Sequence, residues 1–360
     1  MEEIEALLIL NSIEGLGTER LKYLKEKLGS FVKIFSQPEE SLSKIEGMNK
    51  NLVGKIKRAY KDFDLKREIE LIRENRITLL TLEEKNYPEN LKEIYDPPYI
   101  LYLKGDYKDS DANALAMVGS RLASYYGLSL AEKFSYLLAL RGLTIVSGLA
   151  RGIDTQAHRG ALKAKGRTIA VLGSGLLNIY PQENKKLSEE IFQNGALFSE
   201  FPLEYPPLRQ NFPRRNRLIS GLSKGVIVVE AGERSGALIT ADFALEQGRE
   251  VFAVPGKVDS PTSRGTHTLI KEGAKLVSSV EDILEELKLD MDYLKEDNNK
   301  PFSLDEREGE IYTLLSDEPK YIDEIKMETN LQLSEVANIL LKLELKGLIK
   351  QLPGKMFVKK

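Results

Sequence analysis

Nine residues, Arg209-Gln210-Asn211-Phe212-Pro213-Arg214-Arg215-Asn216-Arg217, hold four arginines around one phenylalanine. A guanidinium presents a planar fork of donors that pairs bidentately with a phosphate. A phenyl face stacks on any base, at about 1–3 kcal/mol per base, without regard to sequence. The two together suit a single-stranded polynucleotide, whose bases are free to stack. The competing use of such a cluster is internal: arginines that cap helices and pair with carboxylates across subunits. Three other segments have the makings of phosphate turns. Gly119-Ser120-Arg121 and Ser147-Gly148-Leu149-Ala150-Arg151 each combine a glycine with an arginine. Ser235-Gly236-Ala237-Leu238-Ile239-Thr240 places a glycine at a strand-to-helix junction, where free N–H groups attract an anion.

Several enzyme classes lose their chemistry by inspection. With no cysteine, there is no thiolate nucleophile, disulfide or thiolate zinc site. The two histidines, His158 and His267, have no metal partner by spacing and read as structural or surface residues. No G-x-x-x-x-G-K-[ST] loop is present, and Gly173-Ser174-Gly175 lacks the third glycine of a dinucleotide fingerprint. No cofactor and no metal are therefore expected. The chain of 360 residues carries a net charge of −3, so nucleic acid would have to meet a local basic patch rather than a global field. Its start, MEEIEALLIL, is acidic where a secretory signal is basic. No apolar run approaches the ~20 residues of a membrane span. A cytoplasmic protein is expected.

These residues must be held by a scaffold, and three textures divide it. Residues 1–75 read as helices with short glycine turns. Ile13-Glu14-Gly15-Leu16-Gly17 before Leu21–Leu28 is echoed by Ile45-Glu46-Gly47-Met48-Asn49 before Leu52–Ala59. The unit resembles a tandem helix-hairpin-helix, SAM-like module, either phosphate-binding at its turns or purely structural. Residues 76–287 alternate helices with short runs rich in valine, isoleucine and leucine. Strands are predicted at Ala114–Val118, Thr144–Ser147, Thr168–Leu172, Ala196–Ser199, Val226–Glu230, Val251–Val254 and Lys275–Val277. That is the pattern of a Rossmann-like α/β core, a parallel sheet covered on both faces. Its ligand site belongs at the carboxyl ends of the strands. Residues 288–303 read as a linker. Residues 304–360 read as a winged helix with a hairpin around Pro353-Gly354-Lys355. Lys346, Lys350, Lys355, Lys359 and Lys360 could meet phosphates, but the acidic stretch Asp305–Glu328 makes a protein partner equally suitable.

Taken in order, VGSR (118–121), SGLARGID (147–154) with His158, TIAVLGSG (168–175), YPQEN (180–184), SEFP (199–202), NFPRRNRLISGLS (211–223), VVEAGERSGALIT (228–240) and VFAVPG (251–256) resemble the DNA-processing protein family DprA, also called Smf. The resemblance covers about residues 80–280. It implies a non-enzymatic homodimer that binds incoming single-stranded DNA during natural transformation. Such a protein protects the strand, displaces single-strand-binding protein and helps load RecA. It places the family's GSR arginine at Arg121 and its basic and base-stacking residues at Arg209 and Phe212. Together with the turns and the arginine cluster read above, the expected DNA site is Gly119, Ser120, Arg121, Ser147, Gly148, Arg151, Arg209, Phe212, Arg214, Arg215, Asn216, Arg217, Ser235, Gly236 and Thr240. Arg209 stands where relatives often have lysine, and Arg214 where many have a small residue. A nucleotide phosphoribohydrolase-type enzyme is the main rival, since its Rossmann core is similar. It needs a glutamate directly after the glycine-threonine turn, and Ala241 stands there. A protein-interaction scaffold is the third possibility.

Overall fold

The computed structural model describes residues 1–288, 304–316, 319–329, 331–345, 348–352 and 354–359. The chain divides into two compact units, Met1–Asp290 and Met291–Lys360. The linker reading, apart from Lys288, and the expectations for Lys346, Pro353 and Lys360 lie outside the described residues.

The first unit is built on a nine-stranded sheet. Its strands are β1 (Thr78–Thr81), β2 (Ile100–Gly105), β3 (Ala114–Val118), β4 (Thr144–Ser147), β5 (Thr168–Val171), β6 (Gly195–Ser199), β7 (Gly225–Val228), β8 (Glu250–Ala253) and β9 (Lys275–Leu276). Their order is β1-β2-β6-β5-β4-β3-β7-β8-β9. From β6 to β9 every pairing is parallel. The chain steps outward from β3 through β4 and β5 to β6, then crosses back to lay β7 on the other side of β3. That reversal is the doubly wound arrangement, and it brings the carboxyl ends of β3 to β7 to one edge.

Alternation along each strand explains the two layers of helices. In β3, Leu115 and Met117 face the helices Tyr125–Leu140 and Ile153–Lys163, with Phe134, Leu138 and Ala157 in the same cluster. Ala114, Ala116 and Val118 face the opposite layer, the helices Asn211–Gly221 and Gly236–Glu246, with Leu218, Ile219 and Ala241. A period of two in a strand buried on both sides requires this split. The sequence reading placed no strand before Ala114. The structure adds β1 and β2, an antiparallel edge in which Tyr102 pairs with Ser199 of β6. Pro97 and Pro98 precede β2 with only Tyr99 between, and proline signals a turn more strongly than a four-residue apolar run signals an edge strand.

The helices of residues 1–75 do form two hairpins. Glu3–Asn11 and Thr18–Leu28 flank Gly15, while Glu39–Ser43 and Lys50–Asp62 flank Gly47, and both glycines adopt positive φ. Leu7, Leu10, Leu24 and Ile56 share one apolar cluster with Ile100, Tyr102, Leu172, Leu176 and Leu203, so packing does not break near residue 75. Polar contacts fasten the same joint. Asn11 Nδ2 donates to Glu200 O at 2.9 Å, and Glu68 Oε1 accepts from Leu203 N at 3.0 Å. The helices therefore sit at the carboxyl-end side of the sheet, against the loop that follows β6.

In the second unit, β10 (Lys320–Tyr321), β11 (Ile349–Leu352) and β12 (Met356–Lys359) form a sheet in the order β10-β12-β11. The helices Ile322–Glu328 and Leu333–Leu345 pack on it through Ile325, Val336, Leu340, Ile349 and Phe357. This is the winged-helix arrangement. Lys359 Nζ lies 4.6 Å from the centroid of the Tyr312 ring, and Lys355 is exposed.

Candidate nucleic-acid interface

A small cleft opens over the carboxyl ends of β3, β4 and β5. It is lined by Arg121, Gly148, Ala150, Arg151, Tyr180, Pro181, Phe212 and Arg215. Four separate segments supply these residues. The loop after β3 brings Arg121, the loop after β4 brings Gly148 to Arg151, and the loop after β5 brings Tyr180. The helix Asn211–Gly221 starts at this edge and brings Phe212 and Arg215.

The loops are held by contacts that leave little freedom. Ser120 N donates to Glu230 O at 2.7 Å, and Ile153 N donates to Ser120 O at 3.3 Å. Gly152 has φ of +75°, and a Cβ there would lie 2.3 Å from Ser120 O. Glycine is thus required twice over, by conformation and by space. At Gly119 space alone makes the demand: a Cβ would meet Ile153 Cγ1 at 2.6 Å. The buried Glu230 accepts from Ser124 N at 2.8 Å and Ser124 Oγ at 2.5 Å, placing a carboxylate at the N-terminus of the helix Tyr125–Leu140.

Arg215 is the floor of the cleft. Its guanidinium is buried and donates to the carbonyl oxygens of Gly148, at 2.7 Å, and Val171. Its Nε donates to Asn216 Oδ1 at 3.2 Å. A Cβ on residue 148 would lie 2.6 Å from the guanidinium, so that glycine makes room for an arginine. Burial lowers the Arg215 pKa to about 10, against the upward pull of Asp154, and the group stays charged at neutral pH. Asp154 accepts from Gly148 N at 3.1 Å and Ala150 N at 3.3 Å. Burial pushes its carboxyl up, while Arg215 pulls it down. His158, behind them, makes a 2.7 Å Nδ1 contact with Thr168 Oγ1 and is fully buried. Desolvation, then the nearby Arg215 charge, lower its pKa to about 3, so it is neutral and structural.

The mouth of the cleft is aromatic and cationic. The exposed Arg121 has its Cζ 5.4 Å from the centroid of the Phe212 ring. Tyr180, 43 % exposed, has its ring centroid 5.7 Å from that of Phe212. Phe212 rests against Gly173, where a Cβ would lie 2.9 Å from its ring. The Gly173-Ser174-Gly175 segment is therefore a packing surface. At Gly175 a Cβ would lie 2.1 Å from two backbone carbonyl oxygens. Arg209 is exposed and has no hydrogen-bond or ion-pair partner among the described residues.

The remaining sequence-predicted residues separate into those facing the cleft edge and those turned inward. Arg151 lines the cleft but is already paired with Glu183 through bonds of 2.7 and 2.8 Å. Arg214 is partly exposed, donates to Glu200 Oε2 at 2.8 Å and lies over the Phe201 ring. Arg217 is buried and donates to the same oxygen at 2.7 Å. The expectation that all four arginines of the cluster face a ligand is corrected: helical periodicity turns Arg217 inward onto Glu200, and Arg215, though it lines the cleft, is a buried floor rather than an open ligand contact. Asn216 is also internal, its Nδ2 bonded to Gly236 O at 3.1 Å, which ties two helices together. Ser147 is fully buried and donates to Met117 O at 2.7 Å, so its side chain does not face the cleft. Ser235 caps the helix Gly236–Glu246 by accepting from Ala237 N. Thr240 is buried within that helix, and the structure removes it from any ligand surface. Gly236 is exposed, and a Cβ there meets nothing within 4 Å.

Tyr180 and Glu183 are the neighbours that site reasoning from the sequence missed. Both lie in the YPQEN segment, but only the fold shows that this loop reaches Phe212 and Arg151.

Comparison with known proteins gives the same answer at the level of family. The family model for DNA recombination-mediator protein A matches residues 78–288, and that for the DprA winged helix domain matches residues 295–355. Protein Smf of Escherichia coli K12 is 46% identical over 283 residues, 77% of this chain and 76% of the relative. DNA processing protein DprA of Bacillus subtilis 168 is 47% identical over 224 residues, 62% of this chain and 75% of the relative. The X-ray structure of DprA from Streptococcus pneumoniae superposes with a TM-score of 0.67 at 37% identity, covering 79% of this chain and 99% of that one. A DprA structure from Helicobacter pylori, described as giving insight into a unique single-stranded DNA binding mode, has a TM-score of 0.54 at 32% identity, covering 59% and 96%. With its core and its winged helix both matched in order, the chain belongs to the DNA recombination-mediator protein A family.

Proposed function

We propose that this protein binds single-stranded DNA at the cleft over β3 to β5 and performs no covalent chemistry on it. The observation that carries the reading is the convergence of Arg121, Tyr180 and Phe212 at one mouth, above the buried charge of Arg215. A base stacks on the open aromatic faces. Arg121 and Arg209 take the flanking phosphates, and Arg151 and Arg214 join if their carboxylate partners release them. Gly119, Ser120, Gly148, Ser235 and Gly236 shape the turns, while Arg215, Arg217, Asn216 and Ser147 hold them in place. The Helicobacter pylori relative's single-stranded DNA binding supports the assignment. The rival phosphoribohydrolase reading is set below it because Ala241 stands where that chemistry needs a glutamate directly after the glycine-threonine turn.

The wider role proposed is that of a cytoplasmic recombination mediator. As a homodimer it protects incoming DNA during natural transformation, displaces single-strand-binding protein and helps load RecA. The domain division at residues 1–75, 76–287, 288–303 and 304–360 is proposed with it, the first two packing together within one compact unit. The test of the core claim is a gel-shift titration on oligo-dT and on duplex across salt concentrations. Tight binding to oligo-dT, weaker binding to duplex and a steep loss with salt are expected, because phosphate contacts release counterions. Equal affinity for the two forms would remove the stacking role, and release of free base from nucleoside monophosphates at enzymatic turnover would restore the rival.

A further inference from the structure

The helix Lys50–Asp62 carries five cations and one carboxylate in 13 residues, on a chain whose net charge is −3. Leu52, Val53 and Ile56 bury one face. The opposite face places Lys50, Asn51, Gly54, Lys57, Arg58 and Lys61 along a shallow open groove, with Glu39 its one carboxylate. Positions 50, 54, 57, 58 and 61 recur at helical spacing, so the stripe runs about 16 Å along the axis. Internal acceptors engage two cations of the helix: Lys57 Nζ donates to Phe35 O and Gln37 O, and Lys55 Nζ donates to Glu14 O. Lys50, Arg58 and Lys61 are exposed and have no protein partner among the described residues.

A second observation is independent of charge. Gly54 lies mid-helix, where glycine is destabilising relative to alanine. It does not adopt positive φ, and a Cβ there would meet nothing within 4 Å. Neither conformation nor packing asks for glycine. What its absent side chain provides is bare backbone at the centre of the cationic groove, where another chain can approach closely. Beside the stripe, Tyr60 is 51 % exposed and stacks on Phe35 with centroids 4.9 Å apart. Cations, a close-approach point and an open ring are the parts of a sequence-tolerant track for a single strand. The helical hairpins sit at the carboxyl-end side of the sheet, bonded to the loop that leads to Arg209 and Phe212.

We propose that the Lys50–Lys61 stripe is a second contact site for single-stranded DNA, engaging the phosphates of strands too long for the cleft alone. The proposal rests on the cleft reading above, and the experiment separates the two. Full-length protein, a Lys50→Ala/Arg58→Ala/Lys61→Ala variant, Gly54→Gln and Phe212→Ala are titrated by fluorescence anisotropy with oligo-dT of increasing length at several salt concentrations. The triple variant should match the parent on the shortest oligomer that binds and bind long ones several-fold more weakly. Its salt slope on long strands should fall by about 0.7 for each phosphate that it no longer neutralises. Gly54→Gln removes no charge and has the better helix former, so it should melt no lower than the parent yet bind long strands more weakly. Unchanged affinity and slope on long strands in the triple variant would overturn the proposal, as would an equal weakening at every length or one confined to duplex. If Phe212→Ala binds short oligomers like the parent, the cleft reading fails instead, whatever the long-strand comparison shows.

Discussion

At the residue scale, the cleft divides its labour between groups that touch solvent and groups that hold them. Phe212 supplies area and no charge. Phe212→Ala should cost about 1–3 kcal/mol of affinity for oligo-dT while leaving the salt slope near that of the parent, measured by the same titration. Arg121→Ala should do the reverse in kind, lowering affinity and reducing the slope by about 0.7. An unaltered slope would remove Arg121 from the phosphate path. Gly148 makes a structural demand tied to the cleft floor. Its missing Cβ admits the Arg215 guanidinium, so Gly148→Ala must displace a buried, fixed cation. A loss of about 1–3 kcal/mol in urea unfolding is expected from overpacking, and a neutral result would show that the arginine can shift.

At the element scale, the helix Asn211–Gly221 explains why a run of arginines is not a run of ligand contacts. A helix turns successive residues through its whole circumference, so Phe212 meets the cleft while Arg217 meets Glu200. The helix Lys50–Asp62 shows the converse, where regular spacing collects cations on one exposed face. Its central glycine yields a stability prediction separate from binding. Gly54→Ala should raise stability by about 0.5–1 kcal/mol, read as a higher urea midpoint, because the new methyl meets no neighbour and alanine is the better helix former. A decrease would mean that the site has a packing role.

At the scale of the whole molecule, the buried cluster behind the cleft couples stability to pH. The folded protein holds His158 neutral with a pKa near 3, well below its ordinary value of 6.5. Below about pH 6.5 the unfolded chain takes up a proton that the folded chain refuses. Stability from this group is therefore present above pH 6.5 and lost as pH falls toward about 3, with a slope approaching ~1.4 kcal/mol per pH unit. Asp154 acts the other way, because burial raises its pKa and protonation relieves a cost of the folded state. Thermal unfolding from pH 7 to pH 4 should show the net decline, and His158→Asn should flatten it. An unchanged slope in that variant would assign the decline to other groups.

The outline of the core was legible in the sequence because strand and helix are local patterns. Five-residue apolar runs such as Ala114–Val118 and small residues at their ends announce a parallel sheet and its ligand edge, and the DprA-like motifs place Arg121 and Phe212 upon it. The antiparallel edge of β1 and β2 was not legible, since its pairing with β6 joins residues nearly a hundred positions apart. Nor was the burial of Arg215 as the cleft floor, or the inward turn of Arg217, Ser147 and Thr240. Residue type sets what a side chain can bond, but whether it meets water or a buried carbonyl depends on which neighbours the packed sheet and helices bring to it. Tyr180 beside Phe212, Glu183 on Arg151 and Gly148 against Arg215 are contacts between segments distant in the chain, and such juxtapositions exist only once the tertiary fold has closed.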